Sequence, residues 1–130
     1  MTIELTPPSR RRLLGRLWAA YWVVLFILTH TRLEAFPTPS FSYADKLEHF
    51  GSYFLLTYLG GRFWLAGKVG SPGRVLLLWA GIYAAYGGFD EWLQQFVERT
   101  MSLYDWLADA AGIALASVVL AWNKRRRAGS

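Results

Sequence analysis

The sequence predicts an all-α fold, a bundle of four transmembrane helices, and two observations predict it. Hydrophobic residues make up 54% of the 130 residues and aromatic residues 17%, whereas a soluble domain of this size needs a mostly polar surface. Four apolar stretches also recur along the chain, each close to the ~20 residues that a helix needs to cross a bilayer. They are residues 13–31, 47–67, 75–96 and 103–122.

The first stretch, LLGRLWAAYWVVLFILTHT, is the cleanest of the four. A secretory signal peptide is the alternative interpretation, with RRRLLGR as its charged segment and LWAAYWVVLFILT as its apolar segment. Only a poor match to a cleavage site follows, around Ala35. Because three more apolar stretches need a membrane as well, we interpret the first as an uncleaved helix.

The other three stretches carry charge inside or at one end. The second opens with ADKLEH, the third closes with FDEWLQQF, and the fourth opens with LYDWLAD. Pro37 and Pro39 break helix in the first outer loop, and GKVGSPGR forms the inner turn before the third stretch. The chain has no cysteine, which excludes disulfides and thiolate metal sites.

The charge distribution predicts that both termini are cytoplasmic. Of the 14 Lys and Arg residues, all but Arg32, Lys46 and Arg99 fall in predicted inner loops and tails, and this bias sets membrane orientation. Of the nine acids, all but Glu4 fall on or near the outer face. The predicted organisation is a cytoplasmic tail (1–12), a transmembrane domain (13–122) and a basic tail (123–130). A basic tail after a membrane helix is a topology anchor that touches anionic lipid, so no nucleic-acid partner is expected.

The second and fourth stretches begin alike, with SYADKLEH from Ser42 and SLYDWLAD from Ser102. Each Ser-x-x-Asp start fits a helix cap, in which the hydroxyl accepts from an orphan amide and the acid meets the positive end of the dipole. Capping alone explains Asp45 and Asp105. The shared start also predicts a weak internal repeat of two helical hairpins.

Capping does not explain the next helical turn. His49 and Asp109 each lie four residues after a capping acid and share its helix face. A carboxylate in an apolar span is expensive unless it faces the bundle interior, and the same holds for Asp90 and Glu91 at the end of the third stretch. The spacing predicts that His49, Glu91 and Asp109 meet at one depth below the outer surface, with Gln94 or Gln95 on the face of Glu91. The alternative is a polar network that only joins the helices, worth roughly 0.6–2 kcal/mol per contact.

Two segments resemble the VanZ-like family of membrane proteins. DKLEHFGSYFLL and FDEWLQQFVERTMSLYDWLADAAG follow its pattern of Asp-Lys-x-x-His-Phe, then an acid with Gln, then Arg, Ser and Asp before a final helix. The matching positions are Asp45, Lys46, His49, Phe50, Tyr53, Glu91, Gln94, Arg99, Ser102, Asp105, Asp109 and Gly112. One departure is that Glu98 stands alone where the family commonly has Pro-Gly before the Arg. The resemblance implies a multi-pass protein of the bacterial cytoplasmic membrane, in a family linked to teicoplanin-type lipoglycopeptide resistance.

The first functional hypothesis is binding of an envelope ligand in an outward-facing polar pocket. Its candidate residues are Asp45, Lys46, His49, Tyr53, Glu91, Gln94, Arg99, Asp105 and Asp109. Helix N-termini, Lys46 and Arg99 would attract the phosphate of a lipid or of a peptidoglycan precursor. Because Asp45 and Asp105 already neutralise the two helix dipoles, a cationic or metal-bridged ligand remains open.

Two other hypotheses compete with binding. One is a metal-assisted hydrolase or transferase that acts on a lipid phosphate, with His49 and the carboxylates as ligands or bases. No known catalytic motif is present, and neither a metal nor a cofactor can be assigned. The other is a transporter or proton relay, which needs polar residues in the inner half, where the sequence shows few apart from Arg62. Gly60-Gly61 and Gly87-Gly88 would permit close helix contacts within the chain or in a homo-oligomer.

Overall fold

The computed structural model describes residues 7–31, 42–67, 70–97 and 102–129. This part of the chain forms four α-helices and one short 3₁₀ helix, without a strand, and the all-α prediction is confirmed. The helices are α1 (Pro8–His30), α2 (Ser42–Leu65), α3 (Pro72–Gln94) and α4 (Leu103–Ala128), and the 3₁₀ helix Gln95–Val97 continues α3.

The helix starts follow local sequence signals. Proline stands in the first turn of α1 and of α3, where a missing amide proton costs nothing. Ser102 caps α4 as predicted, since its hydroxyl accepts from the Asp105 amide at 3.4 Å. The side chain of Ser42, the other predicted cap, lies outside the described residues. At its far end α4 runs past residue 122 to Ala128, because residues 123–128 contain neither Pro nor Gly.

The four helices alternate in direction. Thr29 near the end of α1 bonds to Asp90 near the end of α3, so these two helices run the same way. His49 near the start of α2 bonds to Asp109 near the start of α4, so these two also run the same way. The pairs oppose each other, because the start of α4 meets the end of α3 at Glu91.

The closest helix packing joins α2 and α4, and it depends on Gly112. A Cβ at Gly112 would overlap the backbone carbonyl oxygen of Phe50 and lie 3.0 Å from the amide nitrogen of Phe54. Backbone atoms cannot move aside as a flexible side chain can. Glycine at this position therefore lets the two backbones touch and fixes their register.

The core away from α4 is aromatic. Trp18 and Trp22 of α1 pack on Trp79 and Tyr83 of α3, with ring centroids 5.3–6.4 Å apart. The Trp18 indole N–H donates to the Tyr83 hydroxyl at 3.0 Å. Gly60 of α2 faces this pair at close range, so one of the predicted glycine contacts forms within the chain. These contacts attach α1 to the rest of the bundle.

The surface of the bundle is apolar. Large exposed apolar side chains cover the outer faces of α1, α3 and α4, among them Leu13, Leu17, Val23, Val24, Ile27, Leu28, Leu77, Leu78, Leu115 and Val118. Among the described residues, α1 and α4 are long and apolar enough to cross a membrane, which indicates membrane association by length and composition. In the apolar part of α1 only 6% of the residues are buried inside the bundle.

Candidate functional site

The Asp, Glu, Lys and Arg residues of the described chain are divided between its two ends. The starts of α2 and α4 and the ends of α1 and α3 form one end, which contains every described Asp and Glu and is called the acidic end below. The opposite end, called the basic end, contains every described Lys and Arg except Lys46. A buried carboxylate is stable only when hydrogen bonds or opposite charges compensate its negative charge, so the acidic end is the candidate site for binding or catalysis.

Three predicted residues meet at the acidic end and are called the His49 cluster, made of His49, Glu91 and Asp109. The His49 Nδ1 lies 2.9 Å from Asp109 Oδ1 and 3.8 Å from Glu91 Oε1. Glu91 and Asp109 are buried, and His49 is partly buried. Three helices thus each contribute one ionisable side chain to one point, as their spacing along the chain predicts.

The two oxygens of the Glu91 carboxylate have different surroundings. Glu91 Oε2 accepts a hydrogen bond from the backbone amide of Ser102 at 3.0 Å, which ties the end of α3 to the start of α4. Glu91 Oε1 is buried and has no hydrogen-bond partner, although it points toward His49. A buried acceptor without a partner is costly and calls for a physical explanation.

A second layer lies nearer the surface of the acidic end. The Lys46 ammonium donates to Asp105 Oδ1 at 3.1 Å, so the one described cation of this end is already paired. Asp45 is exposed, yet one of its carboxylate oxygens lies within 4.8 Å of ligand atoms of His49 and Asp105. Glu48 is exposed as well, so it is a solvated surface acid at this end.

Tyr53 lies on the inner side of the His49 cluster. A Cβ added at Gly87 would be 3.2 Å from Asp109 Oδ2 and 3.3 Å from the Tyr53 ring, so glycine makes room for both side chains. Tyr53 is only 2% exposed, and its hydroxyl has no hydrogen-bond partner. The cluster therefore has two buried polar atoms without partners on its border, one from Tyr53 and one from Glu91.

A second group of polar residues, made of Thr29, His30, Asp90 and Gln94, is called the Asp90 cluster. The sequence did not predict that these residues would meet. Asp90 Oδ1 accepts from the Thr29 hydroxyl and Asp90 Oδ2 from the Gln94 amide, both at 3.1 Å. His30 Nδ1 lies 3.6 Å from Asp90 Oδ1. The signal that could have found this group is the position of Thr29 and His30 at the outer end of the first stretch, at the depth of Asp90.

The remaining predicted residues have mixed outcomes. The sequence places either Gln94 or Gln95 on the face of Glu91. In the structure Gln94 donates to Asp90, and Gln95 donates to the backbone oxygen of Trp92. Arg99 lies outside the described residues, as does Glu98, where the family pattern departs.

The predicted polar pocket is a packed cluster rather than a wide cavity. A separate groove of about 390 Å³ runs along an apolar face of α1 and reaches α3 at Tyr86. It is lined by Trp18, Ala19, Trp22, Val23, Phe26 and Tyr86. The groove is apolar and open to the outside of the bundle. The charged side chains remain at the acidic end of the bundle.

Comparison with known proteins adds no identification. The chain matches no protein-family model, no curated protein and no solved structure.

Proposed function

We propose that this chain is an integral membrane protein of the bacterial cell envelope that binds the headgroup of a membrane lipid or envelope precursor at its acidic end. One observation carries the proposal: Asp90, Glu91, Asp105 and Asp109 are buried while large apolar side chains cover the surface. Water would favour the reverse distribution. In a bilayer, ionisable residues within spanning helices face the bundle interior and mark functional sites.

The proposed topology has four spanning helices, with the basic end in the cytoplasm and the acidic end outside. Arg and Lys at the start of α1 and at the end of α4 support this orientation, because positive residues are retained on the cytoplasmic side. With 26 residues, α4 is about 39 Å long at 1.5 Å per residue, longer than a hydrocarbon core of about 30 Å. Its last, basic turns then reach the anionic lipid surface.

The apolar groove supports a lipid as the ligand. The groove extends from Trp18 to Phe26 along α1 and is closed on the α3 side by Tyr86. Phe26 stacks on His30 with ring centroids 4.3 Å apart, and Tyr86 lies one helical turn before Asp90. An acyl chain in the groove would therefore bring its headgroup to the acidic end.

The resemblance to the VanZ-like family supports the same proposal. Its motif positions include His49, Glu91 and Asp109, the three residues that meet in the His49 cluster. We therefore propose a contribution to teicoplanin-type resistance as the biological outcome. In a susceptible bacterium that expresses the chain, His49→Ala and Glu91→Gln should abolish any gain in resistance, whereas Glu48→Ala should preserve it. Equal resistance in all three variants would contradict a role for the cluster.

Membrane orientation can be tested with single cysteines, because the chain has none of its own. Glu48→Cys at the acidic end and Gly73→Cys at the start of α3 both replace exposed residues. In whole cells, a membrane-impermeant maleimide should label Glu48→Cys at once and Gly73→Cys only after permeabilisation. Equal labelling of both variants in intact cells would overturn the topology.

Ligand binding can be tested by native mass spectrometry of protein released from a mild detergent. The wild type should retain a lipid adduct, and Glu91→Gln should lose it. Glu48→Gln is the matched control, since it removes an exposed acid at the same end. Bare protein in all three samples would favour a network that only holds the helices together.

A further inference from the structure

Glu91 Oε1 and the Tyr53 hydroxyl are two buried polar atoms, one within the His49 cluster and one beside it, that have no hydrogen-bond partner. Glu91 and Tyr53 are 4% and 2% exposed, and neither Glu91 Oε1 nor the Tyr53 hydroxyl forms a hydrogen bond. Native proteins satisfy nearly all such atoms with protein, water or ions. Glu91 Oε1 is the more costly of the two to leave unsatisfied, because the carboxylate carries charge. A bound cation beside this oxygen, which lies 3.8 Å from His49 Nδ1, would satisfy it.

The donor set at this point suits a metal ion. One ligand atom each from His49, Glu91 and Asp109 lie within 4.8 Å of one another, on three different helices. One imidazole nitrogen and two carboxylate oxygens are ligands that Zn²⁺ and related first-row dications accept, whereas Mg²⁺ and Ca²⁺ prefer oxygen alone. With a neutral imidazole the three side chains carry two negative charges, which one dication neutralises.

A neighbouring group of three residues is the less suitable one. Asp45, His49 and Asp105 also bring ligand atoms within 4.8 Å. Asp105, however, already accepts from the Lys46 ammonium at 3.1 Å, and that positive charge repels a second cation. Asp45 is exposed to solvent, so a cation there competes with full hydration. The inner group has neither disadvantage.

We infer that His49, Glu91 and Asp109 bind one divalent cation of the Zn²⁺ or Mn²⁺ class, whose open coordination position holds the phosphate of the ligand. The phosphate part of this inference rests on the proposed function. A metal ion would also explain how an acidic end could bind a phosphate. Lys46 is the only described Lys or Arg at this end, which contains every described acid. A bound dication removes the negative charge that would repel an anionic headgroup, and its open coordination position can accept a phosphate oxygen directly.

The metal is tested first and alone. Purified chain in a mild detergent is stripped with a chelator and titrated with Zn²⁺, Mn²⁺ and Mg²⁺ in a calorimeter. One Zn²⁺ or Mn²⁺ per chain is expected, with Mg²⁺ bound at least tenfold more weakly. His49→Gln and Glu91→Gln should each weaken Zn²⁺ binding at least tenfold.

Two variants control for general electrostatics. Glu48→Gln removes an exposed acid, and Asp90→Asn removes a buried carboxylate next to Glu91 that lies outside the metal-binding set. Both should bind Zn²⁺ within twofold of the wild type. The visible absorption of bound Co²⁺ should show imidazole ligation and lose it in His49→Gln, which circular dichroism verifies as folded. The inference is overturned if the wild type binds no stoichiometric Zn²⁺ or Mn²⁺, or if the controls weaken binding as much as Glu91→Gln.

The phosphate is tested second, with two sources. Zn²⁺-loaded and stripped chains are compared for binding of inorganic phosphate and of phosphatidic acid in phosphatidylcholine vesicles. Stronger binding of the loaded chain to the vesicles supports a lipid source, and equal gains with inorganic phosphate support a free phosphate. No gain with either source overturns the phosphate part. Retained lipid without any metal binding would leave the proposed function standing and remove this inference alone.

Discussion

Asp90 and Glu91 are adjacent in the sequence and almost equally buried, yet their carboxylates have opposite surroundings. Both Asp90 oxygens accept hydrogen bonds from neutral donors, the Thr29 hydroxyl and the Gln94 amide. Glu91 has one oxygen bonded to a backbone amide and one without a hydrogen bond, 3.8 Å from His49 Nδ1. Burial and charge alone therefore do not separate a structural carboxylate from a functional one. What separates the two kinds is how many of the carboxylate's oxygens receive hydrogen bonds from the protein.

The largest expected effect comes from Gly112→Ala, which breaks the His49 cluster and spares the Asp90 cluster. The added Cβ would overlap the carbonyl oxygen of Phe50, so α2 and α4 must separate. Overpacking of this kind costs about 1–3 kcal/mol or more of unfolding free energy. Thermal unfolding in a mild detergent measures it. Gly51→Ala on α2 is the control, because its Cβ meets open space and helix propensity favours Ala by about 1 kcal/mol.

The second prediction compares the adjacent acids directly. Asp90→Asn turns one acceptor into a donor that faces Thr29 or Gln94, and it should lower the unfolding free energy by about 1–3 kcal/mol. Glu91→Gln in metal-free protein should cost less, since one of its oxygens has no partner to lose. Thermal unfolding of both variants in the presence of a chelator measures the two losses of stability. A larger loss in Glu91→Gln would reverse the assignment of the two clusters.

A smaller effect is expected from the bond that joins α1 to α3. Thr29→Val removes the hydroxyl that donates to Asp90, and a double-mutant cycle with Asp90→Asn isolates this one interaction. Interhelical hydrogen bonds in membrane proteins average about 0.6 kcal/mol, so a coupling energy of that size is expected. A coupling near zero would show that the Asp90 cluster does not attach α1.

The smallest effect is expected from Glu48→Ala at the surface of the acidic end. Its side chain is exposed, so stability should change by no more than about 0.5 kcal/mol. Zn²⁺ affinity should also stay within twofold of the wild type. A large change in either quantity would mean that general charge at this end, and not the satisfaction of single atoms, governs its behaviour.

The sequence predicted those parts of the molecule that depend on one helix at a time. Apolar length predicted the four helices, and the four-residue spacing of Asp105 and Asp109 predicted which side of α4 carries charge. The prediction that His49 and Glu91 lie at the same depth as Asp109 depends only on the alternating direction of the helices. The structure brings both residues to Asp109.

The parts that depend on which helices are neighbours were not predictable in this way. Thr29 and His30 reach Asp90 only because α1 packs beside α3, and no spacing within a helix encodes that choice. Gln94 is four residues after Asp90 and three after Glu91, so helical periodicity allows either partner. The orientation of α3 against α1 and α4 decides in favour of Asp90.

The direct contact of α2 with α4 also sets the order of events during synthesis. His49 and Asp109 are 60 residues apart in the chain, and Asp109 belongs to α4, which emerges from the ribosome after α2 and α3. Until α4 docks, α2 and α3 must hold His49 and Glu91 without their third partner. Contacts between distant parts of a chain form slowly, and the His49 cluster can be completed only after α4 has been made and has docked. A nascent chain arrested before α4 would therefore carry an incomplete His49 cluster, without Asp109.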